Sequence, residues 1–250
     1  MPLVRTDAII LQTYAYSETS KILRLLTRTH GLRSAIARGA LRPRSRFGGV
    51  LEPFSTGVAT FYLKEGRDLQ TLDAFELERS GQALGRDLLR FGAASLLAEL
   101  VLRTASEEPD PALYRQLLTG LSRLESADPI ALEATILAEA WSMVGRLGYA
   151  PALESCLECD RELEPGEDAR FDYAAGGVRC LDCPPGAVSR SLPAHARAAL
   201  VRLSRGEVPP LERTAAHWSL FSRFLAHHVI SGGPLRSLTF LMDTFARPHA

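Results

Sequence analysis

The sequence predicts an α+β multidomain protein, a small closed β-barrel followed by an α-helical domain with a four-cysteine knuckle inserted into it. Three observations predict this. Residues 1–79 carry short β-branched and aromatic runs separated by glycines and charged turns. The apolar period then lengthens to that of a helix. All four cysteines fall in one stretch that breaks the helical pattern.

Five runs read as strands: Val4 to Leu11, Ile22 to Thr27, Leu32 to Ala37, Val58 to Leu63 and Leu69 to Phe75. Each is rich in Ile, Val, Leu, Thr or aromatic residues and is bounded by glycines or charged turns, as strands require. Tyr62 to Leu69 reads as a hairpin with Gly66 near its tip. No helix of ordinary length fits between these runs, so the expected architecture of residues 1–79 is an OB-fold, with a small sandwich as the competing arrangement.

From Gly81 the apolar residues Leu84, Leu88, Leu89, Leu96, Leu97, Leu100 and Val101 recur at helical spacing. Asp110-Pro111 and Asp128-Pro129 each announce a helix, because the carboxylate caps free amides and proline fills a first position that needs no N–H. The second of these helices should stop at Gly148. Helical period returns over Pro193 to Leu203, Glu212 to Ile230 and Leu235 to Phe245, the last after Gly232-Gly233-Pro234. The helical domain therefore comprises residues 80–150 and 188–250, and residues 151–187 form the insertion.

Cys156-x-x-Cys159 and Cys180-x-x-Cys183 are separated by twenty residues. A two-residue gap lets one turn aim both thiolates at one metal, and two such turns supply the tetrahedral set that zinc prefers. The intervening glycines and the aromatic pair Phe171 and Tyr173 fit a zinc-ribbon hairpin. Four cysteines fill every position of a tetrahedral ion, which leaves none for substrate water, so one structural zinc ion is expected. No P-loop, dinucleotide fingerprint or nucleophile elbow occurs, and the six histidines form no metal spacing. The sequence therefore calls for no enzyme. It contains no run of about 20 apolar residues and opens without an apolar leader, which predicts a cytosolic protein without a membrane contact.

The formal net charge is zero, yet residues 1–51 hold nine basic side chains against two acidic ones. A basic first fifth and an acidic remainder point to a polyanion partner for the N-terminal part. Arg38, Arg42, Arg44 and Arg46 fall within nine residues of a glycine- and proline-containing loop, with no acidic residue between Arg24 and Gly49. Such a loop can track a phosphate backbone, and Phe47 offers a surface for base stacking. Lys21, Arg24 and Arg33 on neighbouring strands extend the patch, and alternation with Leu32 and Ile36 should turn Arg33 to solvent. Tyr14, Tyr16, Phe61 and Tyr62 are further aromatics, but such residues more often fill the core or rim of a barrel than stack on bases, so none of them is assigned to DNA.

The order of parts, together with Ala37-Arg38-Gly39-Ala40-Leu41-Arg42-Pro43-Arg44-Ser45-Arg46-Phe47-Gly48-Gly49, Leu51-Glu52-Pro53-Phe54 and Asp68-Leu69-Gln70-Thr71-Leu72, resembles the bacterial RecO family of recombination mediators. The resemblance spans essentially the whole chain. It implies an OB-fold that binds single- and double-stranded DNA, annealing of complementary strands, and loading of recombinase in DNA repair. It also implies partnership with the ring-forming RecR protein and with the tail of the single-stranded DNA-binding protein, in a cytoplasmic, nucleoid-associated setting. DNA contacts map onto Arg38, Arg42, Arg44 and Arg46, and less directly onto Lys21, Arg24 and Arg33.

Overall fold

Alternating apolar residues curl the first five strands into a barrel, as the computed structural model shows. It describes residues 2–64, 66–211, 214–229 and 233–246. These fall into two compact units, Met1–Glu125 and Ser126–Ala250.

In the first unit the strands are β1 (Leu3–Tyr16), β2 (Ser20–Thr27), β3 (Gly31–Ala37), β4 (Thr56–Tyr62) and β5 (Leu69–Arg79). They close in the order β1-β2-β3-β5-β4, so the arrangement is an OB-type barrel and not a sandwich. All neighbours are antiparallel except β3 and β5, which pair in parallel over Ser34–Leu69, Ala35–Gln70 and Ile36–Thr71. Ala8, Ile10, Leu23, Leu25, Ala35, Ala37, Ala59 and Phe61 point inward at every second position. In β5 the inward residues are Leu72 and Phe75, three apart, because a bulge at Asp73 shifts the register.

The 38–55 connection contains no helix or strand. It turns repeatedly, through bonds such as Arg42 N to Gly39 O (3.2 Å), Ser45 N to Arg42 O (3.0 Å) and Val50 N to Phe47 O (3.0 Å). These turns drop Phe47 and Leu51 into the barrel core, where each is almost fully buried. Phe47 is therefore a core residue and offers no face to a base, contrary to the sequence expectation. At Gly31 (φ +62°) the barrel meets the chain after the second helix. A Cβ there would lie 2.4 Å from the carbonyl oxygens of Glu107 and Glu108, so only glycine fits.

The expected helix from Gly81 is broken in two, α1 (Gln82–Gly85) and α2 (Leu88–Thr104). Asp87 causes the break by adopting an extended conformation and accepting from the Leu89 and Arg90 amides at 2.9 and 3.0 Å. Helix α3 (Pro111–Ser126) starts where Asp110-Pro111 predicts, with the Asp110 carboxylate accepting from Ala112 N and Leu113 N. Arg79 at the end of β5 bonds to Ser122 and Glu125 of α3.

The second unit is built on α4 (Leu132–Val144), whose Trp141 packs against Phe221 and Phe224 at ring separations of 4.9 and 5.1 Å. Asp128 caps the turn that precedes α4, so the regular helix begins three residues beyond Pro129. Its last turn widens over Gly145–Tyr149 and ends on Gly148 at φ +93°. Helices α5 (Ala194–Ser204), α6 (Thr214–His228) and α7 (Arg236–Ala246) follow. The expected helix ends at Glu212 and Ile230, Gly232, and the hairpin residue Glu65 lie outside the described residues.

Between α4 and α5 the hairpin β6 (Ala169–Asp172) and β7 (Gly177–Arg179) is joined by a third strand, β8 (Ser189–Leu192), which the sequence pattern did not reveal. Phe171 and Tyr173 are buried, and Phe171 meets Phe224 of α6 edge-on at 6.2 Å. The buried Arg197 of α5 donates to Leu153 O (3.1 Å) and to Glu164 O, pinning the insertion to the helices.

Replacing Phe47 by Ala leaves a cavity where a ring now fills the barrel, and should cost about 3–5 kcal/mol. Thermal or denaturant unfolding checks this; Phe47→Leu, which keeps most of the volume, should lose less than half as much.

Candidate nucleic-acid interface and metal centre

The nine basic residues of the first fifth are not equivalent. Five meet carboxylates contributed from elsewhere in the chain: Arg5 with Glu76, Lys21 with Glu52, Arg28 with Asp7, Arg33 with Glu107 and Arg46 with Asp73, at 2.7 to 3.6 Å. Arg33 shares the inward parity of Ala35 and Ala37, so its side chain is only 16% exposed and lies against Glu107 and Leu32 O. The expectation that it faces solvent is thus corrected. Lys21 is likewise held in, donating to Glu52 and to Leu51 O. Arg24 lies half-buried on the outer face of β2 with its Nε enclosed.

Arg38, Arg42 and Arg44 behave differently. They are exposed, and none has a carboxylate partner among the described residues. Arg46 is also exposed, with its guanidinium 5.0 Å from the centre of the Phe47 ring.

Arg38 and Arg42 line an open groove of about 850 Å³, together with Tyr16 and Thr19 before β2 and Gly66, Arg67 and Asp68 before β5. The β1–β2 and β4–β5 turns thus flank it, where barrels of this type take up oligonucleotides. Leu41 N donates to Thr19 O at 2.9 Å, which ties the arginine loop to one wall. The buried Gln70 braces the other wall by accepting from Lys64 N at 2.8 Å and donating to Lys64 O and Arg67 O.

Sequence reasoning missed Arg67, because it lies twenty-one residues beyond Arg46 and beside an acidic neighbour. Its place in the β4–β5 turn was the available signal. Among the aromatics, Tyr14, Tyr16 and Tyr62 are exposed, Tyr16 by 51%, whereas Phe61 is buried in the core.

In the second unit the four thiols converge as the spacing predicts. The Sγ atoms of Cys156, Cys159, Cys180 and Cys183 all lie within 4.8 Å of one another. Cys159 and Cys180 are 4.0 Å apart, far beyond a disulfide and close to the ~3.8 Å edge of a tetrahedron with metal–sulfur bonds near 2.3 Å. Cys156 Sγ also accepts from Cys180 N (3.3 Å) and Glu158 N (3.4 Å).

Burial opposes ionising Cys156, but the amide donors around it outweigh that and bring its pKa down to about 6. Hydrogen bonds with the Cys180 and Cys159 sulfurs push Cys183 the other way, above its usual range. Four crowded thiols cannot all ionise unaided, and a bound cation removes that conflict. The set therefore fits a metal, chemically and in size.

No helix among the described residues is long and apolar enough to cross a membrane. Residues 1–80 match the family described as Recombination protein O N terminal, and residues 85–237 match Recombination protein O C terminal. The DNA repair protein RecO of Rubrobacter xylanophilus is 35% identical over 245 residues, 94% of each chain. Those of Anaeromyxobacter sp. strain K and Thermobifida fusca are each 34% identical, covering 92% and 95% of this chain and 92% and 98% of their own length. With both halves matched and relatives aligned nearly end to end, the chain belongs to the RecO family of DNA repair proteins.

Proposed function

We propose that this protein is a non-enzymatic recombination mediator. It binds single- and double-stranded DNA through the barrel, anneals complementary strands and helps load a recombinase during repair. The observation that carries this reading is the set of exposed arginines, Arg38, Arg42, Arg44 and Arg67, at and beside the groove, without carboxylate partners among the described residues. Guanidiniums not already neutralised are the ones that can displace counterions from a phosphate backbone. Tyr16, exposed in the same groove, suits an unstacked base. Annealing follows from holding one strand by its phosphates while its bases stay free to pair. Arg46 adds charge at the rim, while Lys21 and Arg33 support the barrel more than they touch DNA.

The metal in this reading is a single zinc ion held by Cys156, Cys159, Cys180 and Cys183, which staples residues 151–187 and does no chemistry. The barrel, residues 1–79, carries DNA. The helical residues 80–150 and 188–250 dock partner proteins of the RecR type and the single-stranded DNA-binding protein tail.

A groove of about 280 Å³ between α6 and α7, lined by Ala226, Pro234, Leu235, Leu238 and Met242, favours a second reading. There the chain is first a scaffold for acidic, apolar peptide tails, and DNA binding is secondary. Peptide binding that survives loss of the arginines, with annealing unaffected, would favour the scaffold. The cellular setting that goes with either reading is cytoplasmic and nucleoid-associated.

Fluorescence anisotropy with a labelled single strand tests the main reading. Log affinity should fall with log salt by about 0.7 per phosphate neutralised, and Arg38→Ala/Arg42→Ala/Arg44→Ala should flatten that slope by about 2. The triple variant should also lose strand annealing. A salt-independent affinity, or a slope that the triple variant leaves intact, sinks the proposal. Zinc removal by a chelator, or Cys156→Ser, should lower thermal stability and soluble yield while single-strand affinity stays within about twofold. A larger affinity loss in protein that remains folded would contradict the staple.

A further inference from the structure

Three arginines surround the cysteine cluster, and two of them have ordinary partners. Arg161 pairs with Glu167 (2.6 Å) and Asp182 (3.5 Å). Arg179 pairs with Asp172 (2.9 Å) and Glu158.

Arg170 has no carboxylate partner among the described residues. Its Nη1 instead faces three backbone carbonyls of the second cysteine turn: Cys180 O (3.4 Å), Leu181 O (3.1 Å) and Cys183 O (3.2 Å). It is half-buried, and the β6–β7 register sets it directly opposite Arg179.

Three carbonyl oxygens converging on one point repel, since each presents the negative end of its dipole, and the Arg170 guanidinium offsets that repulsion. Arg179 opposite already meets Asp172 and Glu158, whereas the charge of Arg170 has no such partner among the described residues. A divalent ion on four thiolates carries a net negative charge in a partly dry site, which an uncompensated guanidinium beside the turn balances. The same carbonyls belong to the turn that must aim the sulfurs of Cys180 and Cys183 at the metal.

We propose that Arg170 is the positioning residue of the metal centre, fixing the Cys180–Cys183 turn in its ligating conformation and balancing the charge of the loaded tetrathiolate. This rests on the metal reading above. It goes beyond that reading by assigning the centre's grip on its ion to a side chain that touches no sulfur. One nitrogen carrying two hydrogens is shared among three carbonyls, so its positive charge is what matters: an ammonium is a workable substitute, whereas a neutral amide with the same two donors is not.

The test is the rate at which full-length, zinc-loaded protein passes zinc to a chromophoric chelator. Arg170→Gln should release zinc about 10–100 times faster than wild type, the usual cost of losing a residue that orients metal ligands. Arg170→Lys should stay within about threefold of wild type, and Arg190→Gln on β8 should match it. Wild-type release from Arg170→Gln, or equal rates for the glutamine and lysine variants, overturns the proposal, because packing alone ignores charge.

If Arg170→Gln does not fold in cells, refolding it across a zinc series gives the same decision. A requirement for at least about tenfold more zinc than wild type supports the role, and an unchanged requirement refutes it. Native mass spectrometry of the wild type separates the two levels of failure. Protein that takes up no zinc sinks the metal reading itself, whereas zinc-loaded wild type with unaffected variants sinks only the role of Arg170.

Discussion

Burial of the Phe47 ring in the barrel core is the contact on which the basic loop depends. Residues 38–55 have no sheet or helix to hold them, and four arginines sit close enough to repel one another. Burying a phenylalanine contributes about 2–3 kcal/mol. Repulsion between exposed guanidiniums, screened by salt over about 10 Å, is weaker than that. The ring therefore wins, and the turns on either side of it carry Arg38, Arg42 and Arg44 outward while Arg46 rests over Phe47 itself. One apolar side chain at the end of a charged run converts a segment that would spread in water into a fixed display.

The same residue type serves two purposes in the two units. On the barrel, Arg38, Arg42 and Arg44 are exposed where no carboxylate among the described residues neutralises them. At the insertion, Arg170 of β6 and Arg197 of α5 are turned onto its backbone carbonyls, which a small sheet cannot satisfy by itself. Arginine suits both uses, because its charge persists at any working pH and its planar fork presents several donors at once. The neutral total charge of the chain conceals this division.

Much of this was legible in the residues. All five strands, the Asp110-Pro111 helix start and the four-cysteine site follow from patterns that span only a few positions. Burial parity inside the barrel was harder to read. Alternation with Leu32 and Ile36 points Arg33 outward, whereas the small residues Ala35 and Ala37 of its own parity fill the narrow interior. Phe47 looked available because glycines surround it, and nothing local reveals that the chain turns back. Charge pairing also escaped a local reading. The stretch from Arg24 to Gly49 contains no acid, yet Arg33 and Arg46 meet Glu107 and Asp73 from distant segments. Arg67, Arg170 and the pairing of β8 with β6 are likewise products of tertiary approach, which single-sequence periodicity does not encode.

The parallel seam between β3 and β5 closes the barrel through three register pairs, Ser34–Leu69 to Ile36–Thr71. Its partners are more than thirty residues apart in the chain, so loop-closure entropy must be overcome before the seam rewards it. During synthesis the first three strands emerge as an open sheet whose β1 edge stays bare until β4 follows and whose β3 edge stays bare until β5 clears the ribosome. The arginine-rich connection emerges in that interval, directly after β3. Like charges oppose the close approach of a second such sheet, so the charges set on the finished surface are also ones that disfavour pairing of the unfinished barrel with its own kind.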